Sequence, residues 1–437
     1  MKPSSIQIIK DLHAKGYQAL WAGGCVRDML LGVEPKDFDI VTDATPEVVE
    51  SLFDKTIPIG KQFGIIKVIY NEHEFEIATF RKESDYKDGR RPSIVEFTDA
   101  YEDAHRRDFT INGMFYNPIT DEVTDHVNGQ RDLDLKVLEF IGDPNQRIQE
   151  DHLRILRAIR FKNTYGLTYN PSSYQALLKN ANLVTKITPE RVQVEINKML
   201  SHSSRVGSIN NMEDLGILEH LLPEIQNLKG VGQSPTTHAE GDVYAHTLEC
   251  LKQVKDQSKL SVIWATFLHD VGKSITYTIQ EDKITFPGHA SASAELAKQI
   301  LTRLRFPKKF IQHVEWLCAH HMSLYQIFDM TVSRQKHWFL HPWFLDLLEV
   351  HKYDTMGQQP QDLSRYHELH DLYSKTVSKI KVLPKPFLDG SQITKLLSIK
   401  PGPQVGVIKS ELYDLQLDGV FKSKKEAQSY LLKNFSS

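Results

Sequence analysis

A chain of 437 residues is too long for one compact core, so two to four domains are expected. Its 40% hydrophobic and 25% charged residues exclude a disordered or fibrous chain. With 53 Lys and Arg against 56 Asp and Glu, the net charge is −3, so any nucleic-acid contact has to rest on local basic clusters rather than on a global field.

In chain order, residues 5–14 have helical periodicity and residues 17–22 read as a strand. Gly23-Gly24 then leads into a helix over residues 25–31. Residues 38–42 read as a strand, and Thr45-Pro46-Glu47 opens a helix with Thr45 as cap and Pro46 in its first turn. Residues 64–70 and 74–81, joined by Asn71-Glu72-His73, read as a hairpin. After about residue 145 strand signals fade and helical patterns dominate. Residues 230–237 and 382–391, rich in Gly and Pro, are linker candidates.

Asp37-Phe38-Asp39 lies on a strand candidate, so both carboxylates project from one face and Phe38 from the other. Two such carboxylates suit Mg²⁺, a hard ion that prefers oxygen ligands and leaves places for phosphate. Glycines at 23 and 24 let backbone approach a phosphate, and the start of the following helix favours anions. Glu76 shares a face with Ala78 and Phe80, and a glutamate in an otherwise apolar strand is explained by a shared metal. By itself an Asp-x-Asp is more often a solvated turn or cap; the combination carries the reading.

Ala22-Gly23-Gly24-Cys25-Val26-Arg27-Asp28 through Asp37-Phe38-Asp39-Ile40 resembles motif A of class II tRNA nucleotidyltransferases (CCA-adding enzymes) and bacterial poly(A) polymerases, within the DNA polymerase β superfamily. Arg106-Arg107-Asp108-Phe109-Thr110-Ile111-Asn112 resembles their motif B, and Glu150-Asp151-His152-Leu153-Arg154 their motif D. Thr188-Pro189-Glu190-Arg191, running to Glu195, is similar to the helix that supports their nucleotide site. The resemblance implies that Asp37 and Asp39 hold Mg²⁺, with Glu76 as third carboxylate. It further implies that Arg106 and Arg107 meet the triphosphate, that Asp108 and Asn112 order the sugar, and that Gly23, Gly24 and Arg27 belong to the nucleotide site. The alternative for the arginine pair is a surface pair beside a helix cap.

On a helical wheel over residues 150–161, Glu150, Asp151, Arg154 and Arg157 share one face, opposite Leu153, Ile155, Leu156 and Ile159. Ordinary ion pairing at spacings of three and four explains this pattern too. The resemblance assigns Asp151 and Arg154 to reading the base edge, because cytosine and adenine both offer an exocyclic amine and a ring nitrogen. Arg157 and Arg160 then serve as phosphate or structural partners. In related enzymes a flexible loop allows addition of A, and the polar stretch Asp85-Tyr86-Lys87-Asp88-Gly89-Arg90-Arg91-Pro92 resembles it at full length.

Downstream, His246, His269-Asp270, His289, His320-His321 and Asp354 follow the order of HD-superfamily metal phosphohydrolases, which the segment resembles. With 19 histidines in the chain, single ones mean little, and a lone His-Asp is more often a helix cap. In the expected order they imply a divalent transition metal (Ni, Mn or Fe), with Lys273 near the phosphate. The tail from residue 387 to 435, with Lys422, Lys424 and Lys425, resembles the tRNA-gripping tail of HD-bearing relatives; a packed amphipathic helix explains it equally.

The expected fold is α+β: a polymerase-β-like head of mixed sheet and helices (1–142), a base-recognising neck (143–228), an HD-type helical domain (229–380) and a helical tail (381–437). The expected activity is CCA addition to the tRNA 3′ end from CTP and ATP. Poly(A) polymerase or A-adding activity is the alternative, which Gly113, where CCA enzymes more often carry alanine, leaves open. An HD phosphohydrolase acting on RNA-end phosphates is the alternative of another class. Cys25, Cys250 and Cys318 are far apart and imply no disulfide framework. Neither a signal-peptide core nor a membrane-length apolar run is seen, so a cytoplasmic chain without a membrane partner is expected.

Overall fold

In the first of two units, Met1–Pro223, a seven-stranded sheet forms around the fully buried strands Ala19–Ala22 and Ile40–Thr42. The computed structural model describes all residues except 87, 88, 90, 91, 235, 237, 282, 379–381, 436 and 437. Strands run across the sheet in the order Thr56–Gly60, Ile65–Tyr70, His73–Thr79, Ile40–Thr42, Ala19–Ala22, Met114–Asn117 and Glu122–Asp125. Every neighbouring pair is antiparallel except Ile40–Thr42 with His73–Thr79. That one parallel pairing sets Ile40 opposite Ile77, and so brings the residues just before them, Asp39 and Glu76, side by side.

Helix Lys2–Ala14 starts earlier than its periodicity suggests, because Pro3 is tolerated in a first turn. It buries Ile8, Ile9 and Leu12, at about 1.5–3 kcal/mol per side chain. The indole of the buried Trp21 donates to Ser5 Oγ at 3.1 Å, so the polar atom of this core residue is satisfied. The expected hairpin is present: Tyr70 pairs with His73, and Asn71 and Glu72 take left-handed backbone (φ 47° and 65°), as a tight two-residue turn demands. The strand after the Gly-Gly helix is shorter than expected. It begins at Ile40, so Asp37 and Asp39 lie on the extended lead-in rather than within the ladder. The Ala22 N–H still donates to the Asp39 carbonyl at 3.0 Å, and the alternation holds: Phe38 is buried while both aspartates face out.

Beyond the sheet, helices Arg154–Thr164, Pro189–Leu200 and Arg205–Asp214 pack together, each burying an apolar stripe. The second unit, Glu224–Ser437, is almost wholly helical. Its core helices are Val243–Gln253, Leu260–Leu268, His289–Arg303, Lys308–His320 and Phe344–Gly357. The helix Leu260–Leu268 is buried along most of its length. Its last helices, Gly390–Leu397, Pro403–Asp418 and Lys424–Phe435, enclose a small core of their own that includes Ile393, Ile408, Leu412, Phe421 and Leu431. The stretch expected as a second linker therefore ends inside a helix: Asp389 caps it with a full capping box to Gln392. The α+β expectation, a mixed-sheet head and a helical body, is borne out. Among the described residues no helix is long and apolar enough to cross a membrane.

A candidate nucleotide site and a candidate metal centre

The acidic trio sits mid-sheet, where strand Ile40–Thr42 begins beside His73–Thr79. Asp37, Asp39 and Glu76 are all exposed, and Phe38 and Ile77 anchor their backbones from beneath. Asp39 sits in a crowded recess, where desolvation and then the charge of Glu76 push its carboxyl up, more than Arg107 pulls it down. Crowded acids of this kind are relieved by a divalent cation, and an all-oxygen donor set fits a hard one. Their oxygens are less tightly gathered than a closed metal cage: among the described residues the trio is not one of the groups whose ligand atoms lie within 4.8 Å of one another.

Beside Asp39 opens a cavity of about 450 Å³. Seven arginines (27, 81, 106, 107, 154, 157 and 191) line it against four carboxylates (Asp39, Glu83, Asp108 and Asp151), so a chain of net charge −3 still offers an anion a positive recess. Gly23 and Gly24 form one wall. Gly23 has φ +69°, and a Cβ there would stand 3.0 Å from Arg107 Nη1, so only glycine suits both the backbone and the space.

The arginines are held by one another's counter-ions. The buried carboxylate of Asp103 pairs with Arg106 at 2.7 Å and Arg107 at 3.0 Å. Arg106 also meets Glu83 at 3.3 Å, and Glu83 pairs with Arg81 at 2.7 Å. Arg27 donates to Asn112 Oδ1 at 2.5 Å and pairs with Asp28 at 2.8 Å, its guanidinium lying over the Tyr165 ring at 4.1 Å. Asp108 accepts from Arg157 at 2.6 Å and from Asn112 at 3.1 Å. Arg81 and Glu83 are cavity residues that sequence reading leaves in an undifferentiated polar stretch. They belong to a two-stranded ribbon, Arg81–Tyr86 with Pro92–Phe97. Within the loop expected to permit A addition, Lys87, Asp88, Arg90 and Arg91 lie outside the described residues.

The wheel drawn over residues 150–161 is interrupted. One helix ends at Glu150, Asp151 has extended backbone, and the next helix begins at Arg154. The Asp151 carboxylate takes a two-pronged contact from Arg191, at 2.9 and 2.8 Å, instead of facing Arg154 along a helix. Arg154, nearly buried, donates to Glu150 at 2.8 Å and to the Arg147 carbonyl at 2.6 Å. Asp151, Arg154 and Arg157 all line the cavity, and so do Leu153 and Phe161. Arg160 does not. It pairs with Glu195 at 2.6 Å and packs over Phe161, so it ties two helices together, as the structural half of its expected role would have it.

In the second unit, His246, His269, Asp270, His289, His321 and Asp354 converge from five helices or their ends. His246 Nε2 is 3.1 Å from Asp354 Oδ1, and His269 Nε2 is 3.3 Å from Asp270 Oδ2. His289 and His321 both turn Nε2 toward Asp270 Oδ1, at 3.6 Å each. The opposite ring nitrogens are engaged elsewhere. His269, His289 and His321 bond backbone carbonyls at 2.8–2.9 Å, and His246 bonds Glu240 at 2.8 Å. That leaves every Nε2 aimed inward, the arrangement by which outer partners orient metal-binding histidines. His269 Nε2 and Asp270 Oδ1 are buried without a well-formed hydrogen bond, which a cation would remedy.

Burial opposes charge on Asp270, but Lys273 and then His269 hold it well below the usual carboxylate range. Lys273 Nζ sits 2.7 Å from that carboxylate. Glu240, absent from the sequence reading, is likewise brought down to about 2 by His246 and His238 against the cost of burial. Cys250 lies 3.4 Å from His246 Nε2 in the same cluster. His320 does not join it. Adjacent helical residues point about 100° apart, so while His321 turns inward, His320 faces Trp316 and Trp338, and its expected place among the ligands is corrected.

Family models match in the same chain order. Residues 19–139 match the poly(A) polymerase head domain, 166–229 the probable RNA- and SrmB-binding site of polymerase A, and 243–356 the HD domain. Among curated relatives, the CCA-adding enzyme of Bacillus pumilus is 46% identical over 197 residues, 45% of this chain and 49% of that protein. The CCA-adding enzyme of Staphylococcus saprophyticus is 39% identical over 207 residues, 47% and 52% of the respective chains. The chain thus spans about half the length of these curated relatives in the matched region. Among solved structures, the Bacillus stearothermophilus CCA-adding enzyme in complex with CTP is similar at TM-score 0.75 and 22% identity, covering 99% of this chain and 96% of that one. The Thermotoga maritima CCA-adding enzyme complexed with tRNA is similar at TM-score 0.57 and 19% identity, over 98% and 94%. These likenesses show the fold alone: a mixed-sheet head followed by a helical body.

Proposed function

We propose that the chain adds C and A nucleotides to the 3′ end of tRNA, with CTP and ATP as donors. The observation that carries this reading is Asp39, placed beside Glu76 by strand register, at the mouth of a cavity lined by seven arginines. Transfer joins the RNA 3′ oxygen to the α-phosphorus and releases pyrophosphate. Arg106, Arg107 and Arg27, fixed by Asp103, Asn112 and Asp28, bind and orient the triphosphate without reorganising. Asp108 and Asn112 order the sugar, and Asp151 and Arg154 present an acceptor and a donor to the base edge. Mg²⁺ bound by Asp37 and Asp39, with Glu76, would supply positive charge to the phosphates and make the hydroxyl a better nucleophile.

CCA addition is favoured over poly(A) synthesis because the matched relatives are named CCA-adding enzymes and neighbours of like fold were solved with CTP, ATP and tRNA. In this reading residues 1–142 are the head, 143–228 the neck, 229–380 the HD domain and 381–437 a tRNA-contacting tail, acting in the cytoplasm.

A second reading applies to the other unit: phosphohydrolysis of RNA-end phosphates. It is favoured by the inward Nε2 atoms and by the unsatisfied Asp270 Oδ1. Ni²⁺, Mn²⁺ or Fe²⁺ held by His246, His269, Asp270 and Asp354, with His289 and His321, would lower the pKa of water enough to supply hydroxide.

The test of the first reading offers tRNA ending at the discriminator base, at C or at CC, with each nucleoside triphosphate supplied separately. CTP should extend the first two and ATP only the third, and Asp39→Ala should abolish all three while leaving the melting temperature unchanged. Repeated ATP addition to any of them would mark a poly(A) polymerase, and an active Asp39→Ala variant would remove the assigned metal site.

A further inference from the structure

His320, turned away from the HD cluster, opens a different cavity in the same unit. Helix Lys308–His320 places Trp316 and His320 one turn apart, and helix Val332–Phe339 does the same for Arg334 and Trp338. Together with Met330, His341 and His337, which lies 3.7 Å from Asp414, these side chains line a pocket of about 360 Å³. Aromatic rings supply most of its lining. The Trp316 indole stacks on the His341 imidazole at 4.1 Å, with 5° between planes, and stands 5.9 Å from Trp338. Both indoles are half-buried, while Arg334 is exposed at the rim. Among the described residues no carboxylate lines the pocket, and Arg334 has no ion pair.

Aromatic boxes of this size take either a cation or a flat π system. A guanidinium at the rim with no acid in the lining repels the cation. It also offers a phosphate a partner, so the ligand that satisfies both walls and rim is a nucleotide. We propose that this pocket is a stacking subsite for an unpaired RNA nucleotide, its base on Trp316 and Trp338 and its phosphate on Arg334. The subsite is independent of the nucleotide-transfer reading, because none of its residues belongs to the head cavity.

The test titrates the full chain with short oligoadenylate, with AMP and with an abasic phosphodiester strand, following tryptophan fluorescence. Oligoadenylate should quench strongly and the abasic strand should not. Trp338→Leu should remove the quenching, and Arg334→Glu, a surface change that spares folding, should weaken binding about tenfold. Quenching by AMP alone, lost in both variants, would identify free nucleotide as the source of the same ligand chemistry and support the subsite. Equal response to the abasic strand, or an oligoadenylate affinity unchanged by Arg334→Glu, would overturn it.

Discussion

Asp108 links the nucleotide cavity to the stability of the fold beneath it. Burial by itself would push this carboxyl up; Arg157 at 2.6 Å and the Asn112 amide bring it down to about 2 instead. A carboxylate depressed in the folded state contributes stability above its unfolded pKa of about 4, and loses it as pH falls through the folded value. The shift is worth about 2 kcal/mol at neutral pH. Asp108→Asn should therefore lose about that much near neutrality, and its melting temperature should fall less steeply than the parent's between about pH 4 and about pH 2. Parallel curves would mean that Arg157 gains nothing from the charge. Gly113 also has a local cause. A Cβ there would stand 2.6 Å from Val127 Cγ2 and 3.0 Å from Ile141 Cδ1, so packing explains the glycine without reference to which nucleotide is added.

At the scale of the element, the break after Glu150 matters most. A continuous helix would have set Asp151 and Arg154 on neighbouring rungs. The interruption lets Asp151 swing to Arg191 on the helix Pro189–Leu200, while Arg154 is locked by Glu150 and backbone carbonyls. In the proposed reading, base selection then depends on a carboxylate positioned by a second helix. Arg191→Ala, like Arg154→Ala, should lower the ratio of kcat/KM for CTP over UTP about tenfold or more while leaving the Mg²⁺ requirement unchanged. A uniform loss for all four nucleotides would make both residues ion-pair partners of the fold. Periodicity could not reveal the break, because Asp-His-Leu fits a helical pattern and the competing contact lies 40 residues away. The hairpin at Asn71-Glu72 was legible because turn chemistry is local. The onset of the Asp39 strand was not, since alternation continues through the lead-in where the ladder has yet to begin.

For the whole molecule, composition concealed what the motifs disclosed. A net charge of −3 gives no hint of seven arginines around one cavity, because the acidic residues of the whole chain outweigh them in the sum, while Asp103, Asp28 and Glu83 hold four of them in place. The order of histidines was readable, but not their direction: His320 and His321 are neighbours in sequence and face different cavities. Nor was Glu240, whose role rests on a contact with His246 that no spacing rule supplies.

The two chemistries proposed for this chain draw on separate residues, and one substitution should part them. Asp270 lies within 3.6 Å of His289, His321 and His269 and within 2.7 Å of Lys273, so removing its carboxylate leaves four donors facing an empty centre. Asp270→Ala should therefore abolish release of phosphate from 2′,3′-cyclic or terminally phosphorylated RNA, and should lower the transition-metal content of the purified protein. CCA addition to tRNA with a free 3′ hydroxyl should be unchanged, because Asp37, Asp39 and the arginine cavity belong to the first unit. Protein that is free of metal and shows no phosphohydrolase activity with Ni²⁺, Mn²⁺ or Fe²⁺ would end the second assignment and leave the first intact. Loss of nucleotide addition in the same variant would mean that the HD residues serve transfer itself.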